Sequence, residues 1–409
     1  MNAESLDPGS DRNATLRLVD WFDLERVQNA HVLVVGAGAL GNEVLKNLAL
    51  FGVGHIYIFD RDRVELANLS RSVLFRADDN GQPKAEVAAR AIKKLNPNIE
   101  VHYRLGDIRF SLGEGLIRRM DVVIGCLDSM GARYTLNRLC YRVGVPWVDG
   151  GIASLHGQVQ VFLPPDGACY ECGFSEKHYE EAGIRANCAP IAVREIELGR
   201  VPTTATIASL IAAVQVQEAL KLLDFGRWAD RSLGGKVFRY HGDQVATDRM
   251  ELAPNPSCPA HDPFDLRTMV TLPGISYRDS ARALLEAVGP YFDGEAVLYF
   301  EDEIVVTGKC ECGETLDVRQ SLRRLRADPP QCGACQKALL WESALQMTRY
   351  SSPILHPGVL DRSLRELGIG PLGIVLACAV NQEMYFELGA DWPGCVSPFD
   401  VGQEPAELR

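Results

Sequence analysis

The chain has 409 residues, of which 46% are hydrophobic and 23% charged, an ordinary balance for a globular enzyme of two or three domains. Its formal net charge of −12 and pI near 5.3 argue against a nucleic acid or an anionic membrane as partner. No charged-then-apolar leader opens it and no uninterrupted apolar run reaches the roughly 18 residues that span a bilayer, so the cytoplasm is the expected compartment.

Residues 1–11 are polar and are expected to be disordered, with a short helix over about 12–28. The run HVLVVGAGALGNEVLKNLALFGVGHIYIFDRDRVELANLSRS, residues 31–72, then reads as strand, glycine turn, helix and a second strand ending on Asp60. Gly36, Gly38 and Gly41 make GxGxxG where strand becomes helix. The first allows the tight turn, the second lets backbone N–H groups approach a phosphate, and the third permits close helix packing. Asp60 stands where a carboxylate can accept both ribose hydroxyls. This much suits a nicotinamide oxidoreductase as well as an ATP enzyme.

The residues after Asp60 separate the two. Arg71 lies just past the second strand, and GQPKAE opens a helix with Lys84 in its first turn. A dehydrogenase needs no further cations there, whereas cleavage between the α- and β-phosphates develops charge that cations must offset. MDVVIGCLDSMGAR ends another strand on Asp128, with Arg133 five residues later; a carboxylate at that strand end suits Mg2+. The bland alternatives are solvated charge for Arg71 and Lys84 and a helix N-cap for Asp128. VPWVDGGIASLHGQVQVFLP then changes to strand-like alternation, an antiparallel portion of the sheet.

Twelve cysteines in a cytoplasmic chain call for metal or catalysis rather than disulfides. Cys169 and Cys172 form CYEC, and Cys258 and His261 in NPSCPAH repeat that spacing, a structural zinc knuckle without an open position. Cys310, Cys312, Cys332 and Cys335, in KCECGE and PPQCGACQ, read as a zinc ribbon occupying about 308–337. Cys126, Cys140, Cys378 and Cys395 lie among apolar neighbours and read as small core residues. Cys188 is different: it falls in a polar loop over about 173–202, expected to be mobile, with Arg185 and the helix start at Thr203 and Thr204 available to stabilise a thiolate. The two threonines themselves read as a helix cap. ATIASLIAAVQVQEALKLL reads as a buried helix, and KVFRYHGDQVATDRMEL as two strands leading to Cys258 and His261.

Taken together, GAGALG, DRDRVELANLSR, the Lys84 helix and DSMGAR resemble the ubiquitin-activating superfamily of ThiF-type adenylyltransferases, over about residues 12–262. The resemblance implies a Rossmann-like, doubly wound α/β sheet extended by antiparallel strands. It implies ATP, Mg2+ and Zn2+ as cofactors, a ribose contact from Asp60, phosphate contacts from Arg71 and Lys84, and magnesium on Asp128. Asp62 and Asn68 join the nucleotide site, and members carry onto the phosphates an arginine from the N-terminal helix of a dimer partner, here Arg12 in preference to Arg17. Members often have glutamine where this chain has Ser72, which receives no role. A second CxxC commonly closes the first zinc site; here His261 replaces its last cysteine. Trp147, Asp149, Gly150 and Gly151 are then expected beside the incoming C-terminal tail of the protein substrate.

The protein-activating members carry a thioester cysteine ahead of a similar PTT helix, which makes Cys188 the candidate nucleophile. The expected activity is adenylation of the C-terminal carboxylate of a ubiquitin-like protein, then thioester transfer to Cys188 and on to a carrier enzyme. A sulfur-carrier adenylyltransferase that stops at the adenylate is the alternative; an NAD-dependent oxidoreductase or a nucleotide-binding scaffold without activity are alternatives of another class. After residue 265 the resemblance ends. DSARALLEAVGPYF reads as an amphipathic helix, VLYFEDEIVVTG as a strand pair and GIVLACAVNQEMYFEL as a hairpin, compatible with a smaller β-grasp or other α+β domain that carries the zinc ribbon.

Overall fold

Short runs that are apolar on every residue must be covered on both faces, and this is what the N-terminal half builds. The computed structural model describes residues 11–181, 203–327, 329–337, 340–345 and 357–389. Strands β1 (His31–Val35), β2 (His55–Asp60), β3 (Glu100–Leu105), β4 (Val122–Gly125) and β5 (Trp147–Ala153) are parallel, and β6 (His156–Phe162), β7 (Lys236–His241) and β8 (Ala246–Glu251) continue the same sheet antiparallel. The order is β3-β2-β1-β4-β5-β6-β7-β8, so the chain reverses direction of travel between β1 and β4 and leaves a crevice at their carboxyl ends. The change to antiparallel pairing comes at the tight β5–β6 connection, where Ser154 takes φ 53°.

Helix α1 (Leu24–Asn29) precedes β1, and the helices between the parallel strands are α2 (Ala39–Phe51), α3 (Lys84–Leu95), two single turns α4 (Ile108–Ser111) and α5 (Glu114–Ile117), and α6 (Met130–Val143). The expected helix over 12–28 is instead a 3-10 turn at Leu16–Leu18 followed by α1. Asp23 interrupts it, because its carboxylate accepts from the amides of Glu25 and Arg26 and starts a new helix. Helix α7 (Ala205–Leu223) is long and apolar enough to cross a bilayer by length and composition. It packs on α2 and β5 with Ile207, Ile211, Ala212 and Val216 buried, the core position the sequence suggests.

Beyond residue 265 a second sheet has the order β10-β14-β15-β9, from β9 (Val270–Leu272), β10 (Val297–Tyr299), β14 (Ile374–Ala379) and β15 (Gln382–Leu388). Its first and last strands run parallel, and α8 (Ala281–Val288), capped by Ser280, buries Leu284 and Val288 in its core. The expected hairpin β14–β15 is present, turning at Asn381 with φ 62°. The expected strand pair in VLYFEDEIVVTG is not. Val297–Tyr299 joins the second sheet, whereas β11 (Ile304–Lys309) lies between β12 (Thr315–Ser321) and β13 (Leu340–Leu345) in a third. Leu298 and Phe300 anchor one core while Val305 packs with Val318 and Leu325 in another, so the two runs diverge.

The two halves meet along a polar seam. The fully buried Glu387 of β15 accepts from Arg118 and, at 2.6 Å, from Arg119. Arg142 of α6 bonds Glu114 at 2.9 Å and pairs with Glu301, and Phe264 stacks on Tyr385 at 4.6 Å. Phe264, at the expected domain boundary, is therefore part of the joint.

Candidate functional site

A cleft of about 980 Å³ opens at the carboxyl ends of β1, β2, β4 and β5. Its lining contains Gly36, Gly38, Asp60, Asp62, Asn68, Arg71, Lys84 and Asp128, which the sequence spreads over more than ninety positions, and Gly41 stands one turn inside α2. Gly36 has φ +100°, and a Cβ there would lie 2.3 Å from the carbonyl oxygen of Cys126. At Gly41 a Cβ would lie 1.9 Å from the Gly36 oxygen, so turn and helix pack as the glycine spacing requires.

Asp60 is tied to that turn. Its carboxylate accepts from Ala37 N at 2.6 Å and Asp62 N at 2.7 Å. Desolvation raises its pKa, against the opposing pull of Lys84 and the two amides. Lys84 reaches across to Asp62 at 2.9 Å, and its backbone N–H donates to the Asp62 carbonyl. Asn68 is buried and accepts from Glu65 N at 3.0 Å, which shapes the loop that carries Arg71, whose guanidinium donates to Ala67 O at 2.8 Å. Asp128 is exposed at the mouth. It is not the helix cap of the bland alternative: Ser129 caps α6 by accepting from Ala132 N at 3.3 Å.

Several expected positions move. Trp147 does not flank a tail channel; it is buried and stacks on Phe162 at 4.7 Å, because it starts β5 on the core side. Asp149 is also buried and holds Arg133 through Nε at 2.9 and 3.0 Å, and Arg133 in turn donates to the carbonyls of Leu127 and Gly150. Desolvation, opposed by Arg133, carries the Asp149 pKa up to about 6. Gly150 and Gly151 do line the cleft. Thr204 caps α7, accepting from Ile207 N, while Thr203 bridges to Ser154 at the cleft wall and is not a cap. Cys126 is half-buried, packed against the main core while also lining the cleft; Cys140 is fully buried as expected, and Cys378 is half-buried. Arg12 donates to the Leu95 carbonyl and Arg17 pairs with Asp11 at 2.8 Å, both outside the lining of their own chain's cleft. Cys188, Arg185 and Cys395 fall outside the described residues, as do 1–10 of the residues 1–11 expected to be disordered and 182–202 of the loop expected over 173–202, whose start is instead a helix at Glu176–Glu181.

Sequence reasoning missed the wall opposite the glycine turn, where Gln158, Arg239 and Tyr240 line the cleft. The only signal for them is the alternation of β6 and β7, which marks one face without saying what it faces.

Both cysteine sets assemble. In each, the four candidate ligand atoms lie within 4.8 Å of one another: Cys169, Cys172, Cys258 and His261 in one, Cys310, Cys312, Cys332 and Cys335 in the other. Cys169 Sγ is 3.6 Å from Cys258 Sγ and 3.8 Å from Cys172 Sγ, and Cys172 Sγ is 3.3 Å from His261 Nε2. Tetrahedral zinc with bonds of about 2.3 Å to sulfur sets neighbouring sulfurs about 3.8 Å apart, so the donor set fits that ion. In the second set the sulfurs of Cys310 and Cys335 are 3.2 Å apart and those of Cys312 and Cys332 3.6 Å. Stacking on Tyr141 at 4.6 Å fixes the His261 ring. The first set brings the segment after β6 against that after β8, at the antiparallel half of the sheet.

Residues 10–260 match the model of the ThiF family. The chain is 36% identical over 235 residues to the SAMP-activating enzyme E1 of Haloferax volcanii, covering 57% of this chain and 81% of that one. It is 35% identical over 241 residues to a sulfur carrier protein adenylyltransferase of Thermus thermophilus, covering 58% and 83%. Among solved structures, Escherichia coli MccB with MccA aligns with a TM-score of 0.51 at 23% identity over 62% of this chain and 75% of that one, a likeness of fold. The chain belongs to the ThiF family, within the superfamily of ubiquitin-activating-like adenylyltransferases.

Proposed function

We propose that the protein uses ATP to adenylate the C-terminal carboxylate of a small ubiquitin-like protein and then takes the acyl group as a thioester on Cys188. The observation that carries the first step is the meeting, in one cleft, of the glycine turn, Asp60, Arg71, Lys84 and Asp128. Hydride transfer has no use for the last three. Asp60 orients the ribose, and the N–H groups at the start of α2 face the phosphates. A carboxylate oxygen of the substrate attacks the α-phosphorus, and the bond to the bridging oxygen breaks with its electron pair leaving on pyrophosphate. Arg71 and Lys84 offset the charge that grows on that leaving group. Asp128 is the residue for Mg2+, which supplies further charge neutralisation when bound with the triphosphate. Gly151, where a Cβ would meet nothing nearer than 3.4 Å, leaves room at the cleft wall for an extended tail, and the likeness to MccB, whose solved structures hold MccA, supports a peptide reaching that wall. In the second step the Cys188 thiolate attacks the acyl carbon and AMP departs. The two cysteine-rich sets would hold structural zinc, the second of them as a zinc ribbon in the C-terminal domain.

The other reading is a sulfur-carrier adenylyltransferase that ends at the acyl-adenylate, favoured by the 35% identity to the Thermus thermophilus enzyme. ATP–pyrophosphate exchange dependent on a ubiquitin-like substrate tests the shared step. Nonreducing gels then divide the two: a conjugate stable to denaturant, released by thiol and absent in Cys188→Ala, is the expected result. Exchange without any such conjugate would overturn the relay and leave the adenylation.

A further inference from the structure

A second cavity, of about 760 Å³, lies beside the nucleotide cleft and shares Arg61, Arg63, Gly106 and Asp107 with it. Its remaining wall brings Arg104 at the end of β3 together with Arg324 and Arg365 of the C-terminal domain. Among the described residues, five guanidinium groups thus line it against a single carboxylate, Asp107, in a chain whose net charge is −12. That carboxylate is already engaged by Arg109 at 2.7 Å and Arg61 at 3.3 Å. Asp62 pairs with Arg61 at 3.7 Å and with Lys84 at 2.9 Å, and Asp302 is taken by Arg323 at 3.0 Å and by the Ser321 hydroxyl.

Arg324 shows the consequence most clearly. It sits on α9 (Leu322–Ala327), its guanidinium 5.0 Å from the centre of the Phe110 ring, and its buried Nε has no hydrogen-bond partner. Desolvation, with the charges of Arg365 and Arg323, brings its pKa down to about 10. A half-buried cation surrounded by like charges is a cost to the fold unless an anion accompanies it. Planar guanidinium forks match phosphate oxygens in pairs, which an isolated lysine cannot do.

We propose that this cavity is a second anion site, adjoining the nucleotide cleft and sharing Arg61 and Arg63 with it, that binds a phosphate polyanion between the ThiF domain and the C-terminal domain. Arg324 and Arg365 lie beyond the residues 10–260 that match the family, so the site belongs to this chain's own architecture. It does not depend on which acyl substrate the cleft serves. Arg61 and Arg63 flank Asp62, the partner of Lys84, so an anion held here grips the same loop that positions the phosphate lysine. The phosphates can come from an inorganic polyphosphate or from the arm of a second nucleotide.

Calorimetric titration of inorganic tripolyphosphate into the full chain tests this. Wild type is expected to show two binding events. The Arg71→Ala/Lys84→Ala variant should retain one, and Arg324→Gln/Arg365→Gln should weaken that one at least tenfold, with a shallower dependence on salt. Arg365→Lys keeps the charge but loses the fork, and is expected to weaken the event about threefold without altering thermal melting, which keeps the test valid should the double glutamine variant not fold. Repeating the titration with ADP in the Arg71→Ala/Lys84→Ala background names the source: binding at the seam supports a nucleotide, and binding of tripolyphosphate alone supports the inorganic anion. A single event, lost in Arg71→Ala/Lys84→Ala and unchanged in Arg324→Gln/Arg365→Gln and in Arg365→Lys, would overturn the proposal.

Discussion

Lys84 Nζ stands 2.9 Å from Asp62 Oδ2, joining the first turn of α3 to the loop that leaves β2. The lysine side chain is only 12% exposed, so the pair fixes where its charge sits. Removing a charge aimed at the leaving group costs about 10²–10³ in rate. Lys84→Ala is therefore expected to lower ATP–pyrophosphate exchange by about that factor, and Asp62→Ala, which removes only the positioning partner, by about tenfold. Equal losses in the two variants would mean that Asp62 itself touches the nucleotide.

The Asp149–Arg133 pair sets a pH dependence of stability. The Asp149 carboxyl titrates near 6 in the folded chain, above its unfolded value of about 3.9. Between those values the folded state holds a proton that the unfolded state has released, so this group's contribution falls as pH rises from about 4 to about 6. The shift of about two units corresponds to at most about 3 kcal/mol. Asp149→Asn should flatten that part of the curve in denaturant melts across pH 4–7. At pH 7 it should also lower stability by about 3 kcal/mol, because Arg133 keeps its buried charge without a counterion.

Metal content separates the two cysteine sets. Two zinc ions per chain are expected in the purified protein, released by chelator and read by a colorimetric zinc assay. Cys312→Ser should reduce this to one and leave pyrophosphate exchange within about twofold, since its set lies in the C-terminal domain. His261→Cys should keep both ions and His261→Ala lose one, with a lower melting temperature, because the first set clips the core sheet.

Gly150 lies where β5 passes under Gln215. A Cβ at Gly150 would fall 2.4 Å from the Gln215 carboxamide, whose Nε2 donates to Gly125 O at 2.9 Å and Val148 O at 3.3 Å. Gly150→Ala is expected to cost about 1–3 kcal/mol of stability by displacing that side chain. Gly151→Ala, whose Cβ meets nothing nearer than 3.4 Å, should fold normally and report on the tail wall through a raised KM for the protein substrate.

Much of the fold was legible because its signals are local. Apolar runs of strand length, the glycine spacing at Gly36, Gly38 and Gly41, and the hairpin around Asn381 depend on residues close in the chain. The paired spacings Cys169–Cys172 and Cys258–His261 carried across the long stretch from 172 to 258, because metal chemistry dictates the ligand set whatever lies between. Trp147 and Asp149 were misplaced since alternation assigns a residue to a face but does not say whether that face meets the core or the cleft. Val297–Tyr299 and Ile304–Lys309 read as a pair because nothing local distinguishes a turn from a crossing between sheets.

The sequence by itself determined the parallel half of the sheet and its glycine turn, and it marked Asp60, Arg71, Lys84 and the Cys169–Cys172 and Cys258–His261 pairs, each written in a few neighbouring residues. Only the tertiary structure decided that Ser129, not Asp128, caps α6, that Arg133 is spent on Asp149, and that arginines from residues 61 to 365 converge on one cavity. The physical reason is range. Backbone geometry and metal ligation act between residues close in sequence or of matched type, whereas charge and burial act through space and depend on which distant surfaces the fold brings together.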